Sequence, residues 1–164
     1  MARFHLAQVN IALPLEPLES ELLREFVEGL EPVNALADAS PGFVWRLQDE
    51  SGDATGIKAF GDDRLIVNMS VWESLEALRA FVYTSGHVEY MRRRREWFDK
   101  LATYFVLWWV PAGRLPTIAE AEQRLATLEA IGPSPEAFIF RRHFPPPSAY
   151  TEHAVDDDRW LCPA

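Results

Sequence analysis

The stretch Arg64-Leu-Ile-Val-Asn-Met-Ser-Val-Trp-Glu-Ser74 alternates without a break. Leu65, Val67, Met69 and Val71 fall on one side, and Ile66, Asn68, Ser70 and Trp72 on the other. That is the period of a β-strand. Ser74 is a good N-cap residue and predicts a helix running through Val82. Upstream, Phe43 to Gln48 reads as another strand, with Arg46 on the face opposite Phe43, Trp45 and Leu47. Asp49 to Asp63 joins the two strands as a polar hairpin or loop holding three of the eight glycines.

Toward the N-terminus, Phe4 to Leu13 reads as a first strand, with Gln8 and Asn10 on one face. Pro14 and Pro17 end it, and Pro17 suits a helix start. Leu18, Leu22, Leu23, Phe26, Val27 and Leu30 then recur at helical spacing. Pro32 is expected to interrupt this helix, with Val33 to Ala39 resuming it and Ser40-Pro41-Gly42 as a turn.

Downstream of Ser74, Ser85-Gly86 breaks the helix, and a second helical segment is predicted from His87 to Ala102. Thr103 to Val110 reads as a fourth strand, closed by Pro111-Ala-Gly113. Thr117-Ile-Ala-Glu120 has the form of a capping box, so a helix is predicted from Thr117 to Ala130. Gly132-Pro133 stops it, and Ala137 to His143 reads as a short final strand. The order β-α-β-β-α-β, followed by a helix, is the ferredoxin-like split βαβ arrangement of an α+β domain. We place this domain at residues 1–144. A Pro-rich, acidic C-terminal arm, 145–164, follows as an extended tail, expected to pack on the body or on a partner subunit with Trp160 as its anchor.

Composition agrees with one folded domain. The chain has 164 residues, of which 48% are hydrophobic and 25% charged. These values exclude disorder, collagen and coiled coil as descriptions of the whole chain. Six Trp and ten Phe against eight Gly leave much aromatic surface to bury or to offer to a ligand. The single cysteine, Cys162, cannot form an internal disulfide. The opening residues lack the apolar run of a signal peptide. No stretch approaches the roughly 20 apolar residues of a membrane span. A cytoplasmic protein without membrane contact is the expectation.

Net charge is −9 and uneven. Residues 1–63 hold 12 acids against 4 bases, 64–114 hold 5 against 8, and 115–164 hold 8 against 4. An acidic whole argues against nucleic-acid binding. The one basic run, Arg92 to Arg95, is spread by helical geometry over roughly 300° and makes no flat patch.

Several motifs resemble a known family. They are His5-Leu-Ala-Gln-Val-Asn10, Asn34-Ala-Leu-Ala37, Ser40-Pro-Gly-Phe-Val-Trp-Arg-Leu47 and Asn68-Met-Ser-Val-Trp-Glu-Ser74. Phe81-Val82 with Ser85 and His87, Arg93-Arg-Arg-Glu-Trp-Phe98, and Leu107-Trp-Trp-Val-Pro-Ala-Gly113 follow in order. Over residues 4–144 the chain resembles the bacterial domain of unknown function DUF3291. That family is similar in turn to the dimeric α+β barrel superfamily, which includes antibiotic-biosynthesis monooxygenases and haem-degrading enzymes. The shared local signature is a strand ending in Trp72-Glu73, a helix, and Ser85-Gly86-His87. The resemblance implies a homodimer in which two four-stranded sheets pack face to face. It also implies one small-molecule pocket per subunit, between sheet and helices.

Candidate chemistry centres on His87. Met91, Arg94, Phe98 and Leu101 lie within about 40° of it on a helical wheel, while Arg92 and Arg93 face away. An inward His and Arg are costly to bury unpaired. One reading makes His87 a general base that takes a proton from a phenol, enol or lactone, as cofactor-independent monooxygenases require before dioxygen reacts. Asn10, Arg46, Asn68, Trp72 and Arg94 would then line the pocket and bind substrate. The plainer reading makes His87 a helix-start residue hydrogen-bonded to backbone, and the polar sheet face a solvated one. The alternative function is a non-catalytic barrel that binds a small apolar ligand.

Haem is less favoured. Asn10 matches the haem-degrading branch, but that branch's helix-borne Trp and His fall near Phe81 and Met91. No cofactor is expected. No metal is expected either, because His5, His87, His143 and His153 lack ligand spacing. A phosphate-binding glycine loop and a serine nucleophile elbow are both absent from the sequence.

Overall fold

The computed structural model describes residues 3–147 apart from Ser85. Four strands form one antiparallel sheet: β1 (Phe4–Ala12), β2 (Phe43–Arg46), β3 (Ile66–Trp72) and β4 (Phe105–Pro111). Their spatial order is β2-β3-β1-β4. The helices are α1 (Arg24–Asp38), α2 (Leu75–Thr84), α3 (His87–Trp97) and α4 (Ile118–Ile131). This is the ferredoxin-like α+β fold expected from the sequence, with one further helix at its C-terminal side. The 137–143 segment forms no strand among the described residues. It contributes bridges only, the main one pairing Phe138 with Leu107 through two bonds of 2.8 and 2.9 Å. The tail beyond residue 147, with Trp160 and Cys162, lies outside the described residues.

Register assigns every strand side chain to a face. Leu6, Gln8 and Asn10 stand opposite Trp72, Ser70 and Asn68 on β3. The same three residues stand opposite Trp109, Leu107 and Phe105 on β4. This face carries α1, α2 and α3. The other face is made of Ala7, Val9, Val67, Met69, Val71, Val106, Trp108 and Val110, each at most 2% exposed. Ala121, Leu125 and Leu128 of α4 cover it, with Trp45, Leu47 and Phe60 at its rim. The resemblance implied a second sheet on this face. In the described chain α4 packs on part of this face, against β4.

Four local expectations are corrected. The segment after Pro17 makes turns closed by Ser20 N–H to Pro17 O and Leu23 N–H to Ser20 O, and α1 begins only at Arg24. Pro32 sits inside a continuous α1. It removes one ladder bond, and the carbonyl it frees belongs to Glu28, an exposed residue of α1. α3 ends at Trp97 rather than Ala102, because Phe98 turns extended. There Phe98 bridges Pro14, and Asp99 N–H donates to Leu13 O. Finally, a β-bulge between Phe43 and Trp45 returns Phe43 to the face of Arg46 and leaves Val44 outside.

α4 starts where the sequence placed it. Thr117 Oγ1 accepts from Glu120 N–H at 3.1 Å. Glu120 in turn accepts from Trp108 Nε1 at 3.0 Å and takes a two-pronged contact from Arg114 at 2.8 Å. The cap thus also ties the helix to the sheet it covers.

Candidate functional site

Between the sheet and helices α1–α3 lies a cavity of about 300 Å³. That volume lies at the lower end of the range for small-molecule sites. Its floor is the polar row of the helix-covered sheet face. Gln8, only 4% exposed, donates through Nε2 to Asn68 Oδ1 at 2.7 Å and to Ser70 Oγ at 2.8 Å. Ser70 Oγ also accepts from Trp72 Nε1 at 2.9 Å. Asn10 Nδ2 donates to Gln8 Oε1 at 3.3 Å and Asn68 Oδ1 at 3.4 Å. Cross-strand pairing creates this row, since Gln8 faces Ser70 and Asn10 faces Asn68 across the ladder. Asn68 is exposed, so the cavity admits solvent there.

An aromatic chain connects this floor to His87. Phe43 meets Trp72 edge-on at 5.4 Å, Trp72 stacks on Phe81 at 5.1 Å, and Phe81 meets the His87 ring at 5.0 Å. His87 opens α3 and hydrogen-bonds to the backbone of Val82 on α2. Burial pushes its pKa below the ordinary value, and the Val82 bond offsets this only in part. A neutral imidazole at neutral pH follows. The plain reading of a backbone-bonded His therefore holds together with cavity lining.

Arg94 lies on the same side of α3, as the helical wheel predicted. Its NH2 donates to Ile11 O at 3.1 Å, and its guanidinium stands 4.6 Å from the Tyr104 ring centroid. Burial lowers its pKa, yet an arginine in this setting stays charged. Arg92 is turned to solvent. Arg93 binds Glu25 on α1 and Glu96 on its own helix, with its guanidinium 4.7 Å from the Trp97 ring centroid, so it joins two helices rather than facing water alone.

All six sequence-predicted residues line the cavity: Asn10, Arg46, Asn68, Trp72, His87 and Arg94. Arg46 is the one already neutralised. Its Nε and NH2 bind Asp38 at 2.8 and 3.3 Å, and its NH1 donates to Gly52 O at 2.6 Å. Sequence reasoning placed Gln8 and Ser70 on this face but not in the site, where they hold the other amides in position. It missed Tyr90, Tyr104, Phe105 and Phe140 on the walls. Strand alternation would have found Phe105, which shares its face with Leu107 and Trp109. Phe140 carries no such signal, because it arrives from a segment without regular structure. Trp108 and Trp109 point to opposite faces as predicted, and neither lines the cavity. Among the described residues, no group of three His, Cys, Asp or Glu side chains is placed to hold a metal ion. No helix among them is long and apolar enough to cross a membrane.

The profile of the family described as Domain of unknown function (DUF3291) matches residues 5–154. This chain is a member of the DUF3291 family. The match runs past the boundary placed at residue 144. The DUF3291 chain is similar in fold to SnoaB, a cofactor-independent oxygenase from Streptomyces nogalater. Identity is 19% over 69% of this chain and 98% of that one, with a TM-score of 0.44. It is also similar to NE2512, a protein of unknown function from Nitrosomonas europaea. There identity is 13% over 71% of this chain and 99% of that one, with a TM-score of 0.44. PA3566 from Pseudomonas aeruginosa gives 15% identity over 71% and 97%, with a TM-score of 0.41. At these identities the likeness goes no further than fold. None of the curated proteins matches this DUF3291 chain.

Proposed function

We propose that this DUF3291 protein binds an aromatic or apolar small molecule in the cavity and oxidises it with dioxygen, without a cofactor. The supporting observation is a half-buried, neutral His87 in the same solvent-reachable cavity as a fixed row of amide, hydroxyl and indole groups. His87 takes the phenolic or enolic proton of the substrate. The resulting anion passes electrons to dioxygen and forms a carbon–oxygen bond. Protonation of the peroxide by imidazolium and loss of water leave a carbonyl, so one dioxygen converts a phenol to a quinone and water. Asn68 and Trp72 on the floor orient the substrate, with Asn10, Arg46 and Arg94 around them.

The test is oxygen uptake by purified protein with a panel of naphthols and anthrones, with no cofactor added. A general base contributes about 10²–10⁴-fold. His87→Ala should therefore lose at least 100-fold in turnover while keeping its circular dichroism spectrum. Equal uptake by wild type, His87→Ala and buffer would reject the oxygenase reading. Saturable ligand binding without uptake would favour the non-catalytic alternative, to which the mutually satisfied Gln8–Ser70–Trp72 bonds also lend support.

A further inference from the structure

The cavity has an electrostatic asymmetry that its polar floor does not explain. Of its two arginines, Arg46 is neutralised by Asp38. Arg94 has no carboxylate within ion-pair distance among the described residues, and the ring closest to its guanidinium is the uncharged one of Tyr104. A half-buried cation without a counter-ion is expensive to keep. Its contacts are a single backbone carbonyl, Ile11 O, and the faces of Tyr104 and Phe98 at 4.6 and 5.7 Å. These fix the guanidinium plane and leave most of its N–H donors for another acceptor.

Placement adds a length. His87 and Arg94 share one face of α3 two turns apart, which separates them by about 10 Å along the helix axis. The rings beside Arg94 are Tyr104 and Phe98, and the stacked pair Phe105 and Phe140, 5.3 Å apart, continues the aromatic lining of the same cavity. A flat ligand resting there can send an acidic group to Arg94 and gain charge-assisted hydrogen bonds.

We infer that the cavity selects aromatic ligands bearing an anionic group such as a carboxylate, anchored by Arg94 at the β4 side, with the opposite end of the ring system directed to His87. This rests on the cavity being a small-molecule site and names the class of molecule it takes. Arg94 is then a specificity-determining residue, and the distance along α3 favours ligands of two fused rings or more.

The probe pair is 6-hydroxy-2-naphthoate and its isosteric neutral amide, titrated calorimetrically into the full chain without oxygen. Working anaerobically keeps this test independent of turnover, so the inference and the oxygenase reading fail separately. Wild type should bind the carboxylate at least tenfold more tightly than the amide. Arg94→Gln should bring the ratio to within about twofold of one, by weakening the carboxylate much more than the amide. Arg94→Lys, which keeps the charge, should retain most of the preference. A purely structural Arg94, clamping α3 to Ile11, would lower stability in both variants but leave the ratio alone. The inference is overturned by a wild-type ratio near one, by absence of saturable carboxylate binding, or by a preference that survives Arg94→Gln. The wild-type comparison decides the charge preference of the cavity even if neither variant folds, and the variants decide that Arg94 carries it.

Discussion

Gly29, the sixth residue of α1, is buried where α1 passes α3. A methyl group built on it falls inside the van der Waals envelope of the Tyr90 ring and hydroxyl. Two effects of opposite sign then compete on Gly29→Ala. Replacing glycine in a helix interior gains about 0.8–1 kcal/mol. Forcing an extra carbon into a filled contact costs about 1–3 kcal/mol. Tyr90 is braced by Trp97, with ring centroids 5.9 Å apart, so it yields only by swinging into the cavity or spreading the helices. The net expectation is a loss of about 1 kcal/mol, which lowers Tm by roughly 2–4 °C in a chain of this size. In a Tyr90→Ala background the obstruction is gone, and the same Gly29→Ala change should stabilise by about 1 kcal/mol. The coupling from a four-member unfolding cycle, followed by circular dichroism in urea, should therefore be about 2 kcal/mol. If Gly29→Ala stabilises the wild type by the full helix-propensity amount, α1 and α3 do not meet through Tyr90 and the cavity wall is wrongly placed.

Three further outcomes are expected. Ser70→Ala strands the buried Trp72 Nε1 and leaves Gln8 Nε2 with Asn68 as its remaining acceptor, and should cost about 1–3 kcal/mol in denaturant unfolding; a change below half a kcal/mol would mean that water replaces the hydroxyl. Leu125→Ala opens the layer between α4 and the sheet and should cost about 2–3 kcal/mol, whereas a near-neutral result would show that α4 does not seal that face in solution. His87 has a depressed pKa in the folded chain, so below its ordinary value near 6.5 the unfolded state binds more protons. Stability should thus fall as pH drops from about 6.5 toward the lower folded value, and the slope should flatten in His87→Gln; identical Tm–pH curves for both proteins would contradict the burial of that ring.

The strands, their faces and most helix starts were legible because they depend on short-range periodicity. β3 shows this best, since Asn68, Ser70 and Trp72 could only project together. Helical arithmetic likewise put Arg94 inward and Arg92 outward, and Thr117 capped α4 as its motif required. Most of the misreadings share a cause. The end of α3, the bulge at Val44 and the missing last strand were each settled by contacts distant in sequence. Pro32 is the exception: it lies with Glu28 on the exposed side of α1, where losing one ladder bond is tolerated. α3 stops at Trp97 because the exit of β1 offers Phe98 and Asp99 backbone partners.

The site divides along the same line. Which polar groups share the sheet face, and which side of α3 carries His87 and Arg94, follow from fixed repeats of 2.0 and 3.6 residues. What each group meets on its face depends on the packing of the whole chain. That packing neutralised Arg46 with Asp38 and, among the described residues, set no acid within ion-pair distance of Arg94. It set Phe140 on the cavity wall from a segment with no period, and it laid α4 on the sheet face that the resemblance assigned to a partner. Those outcomes depend on how amphipathic surfaces are shared among elements far apart in the chain, which no local repeat encodes.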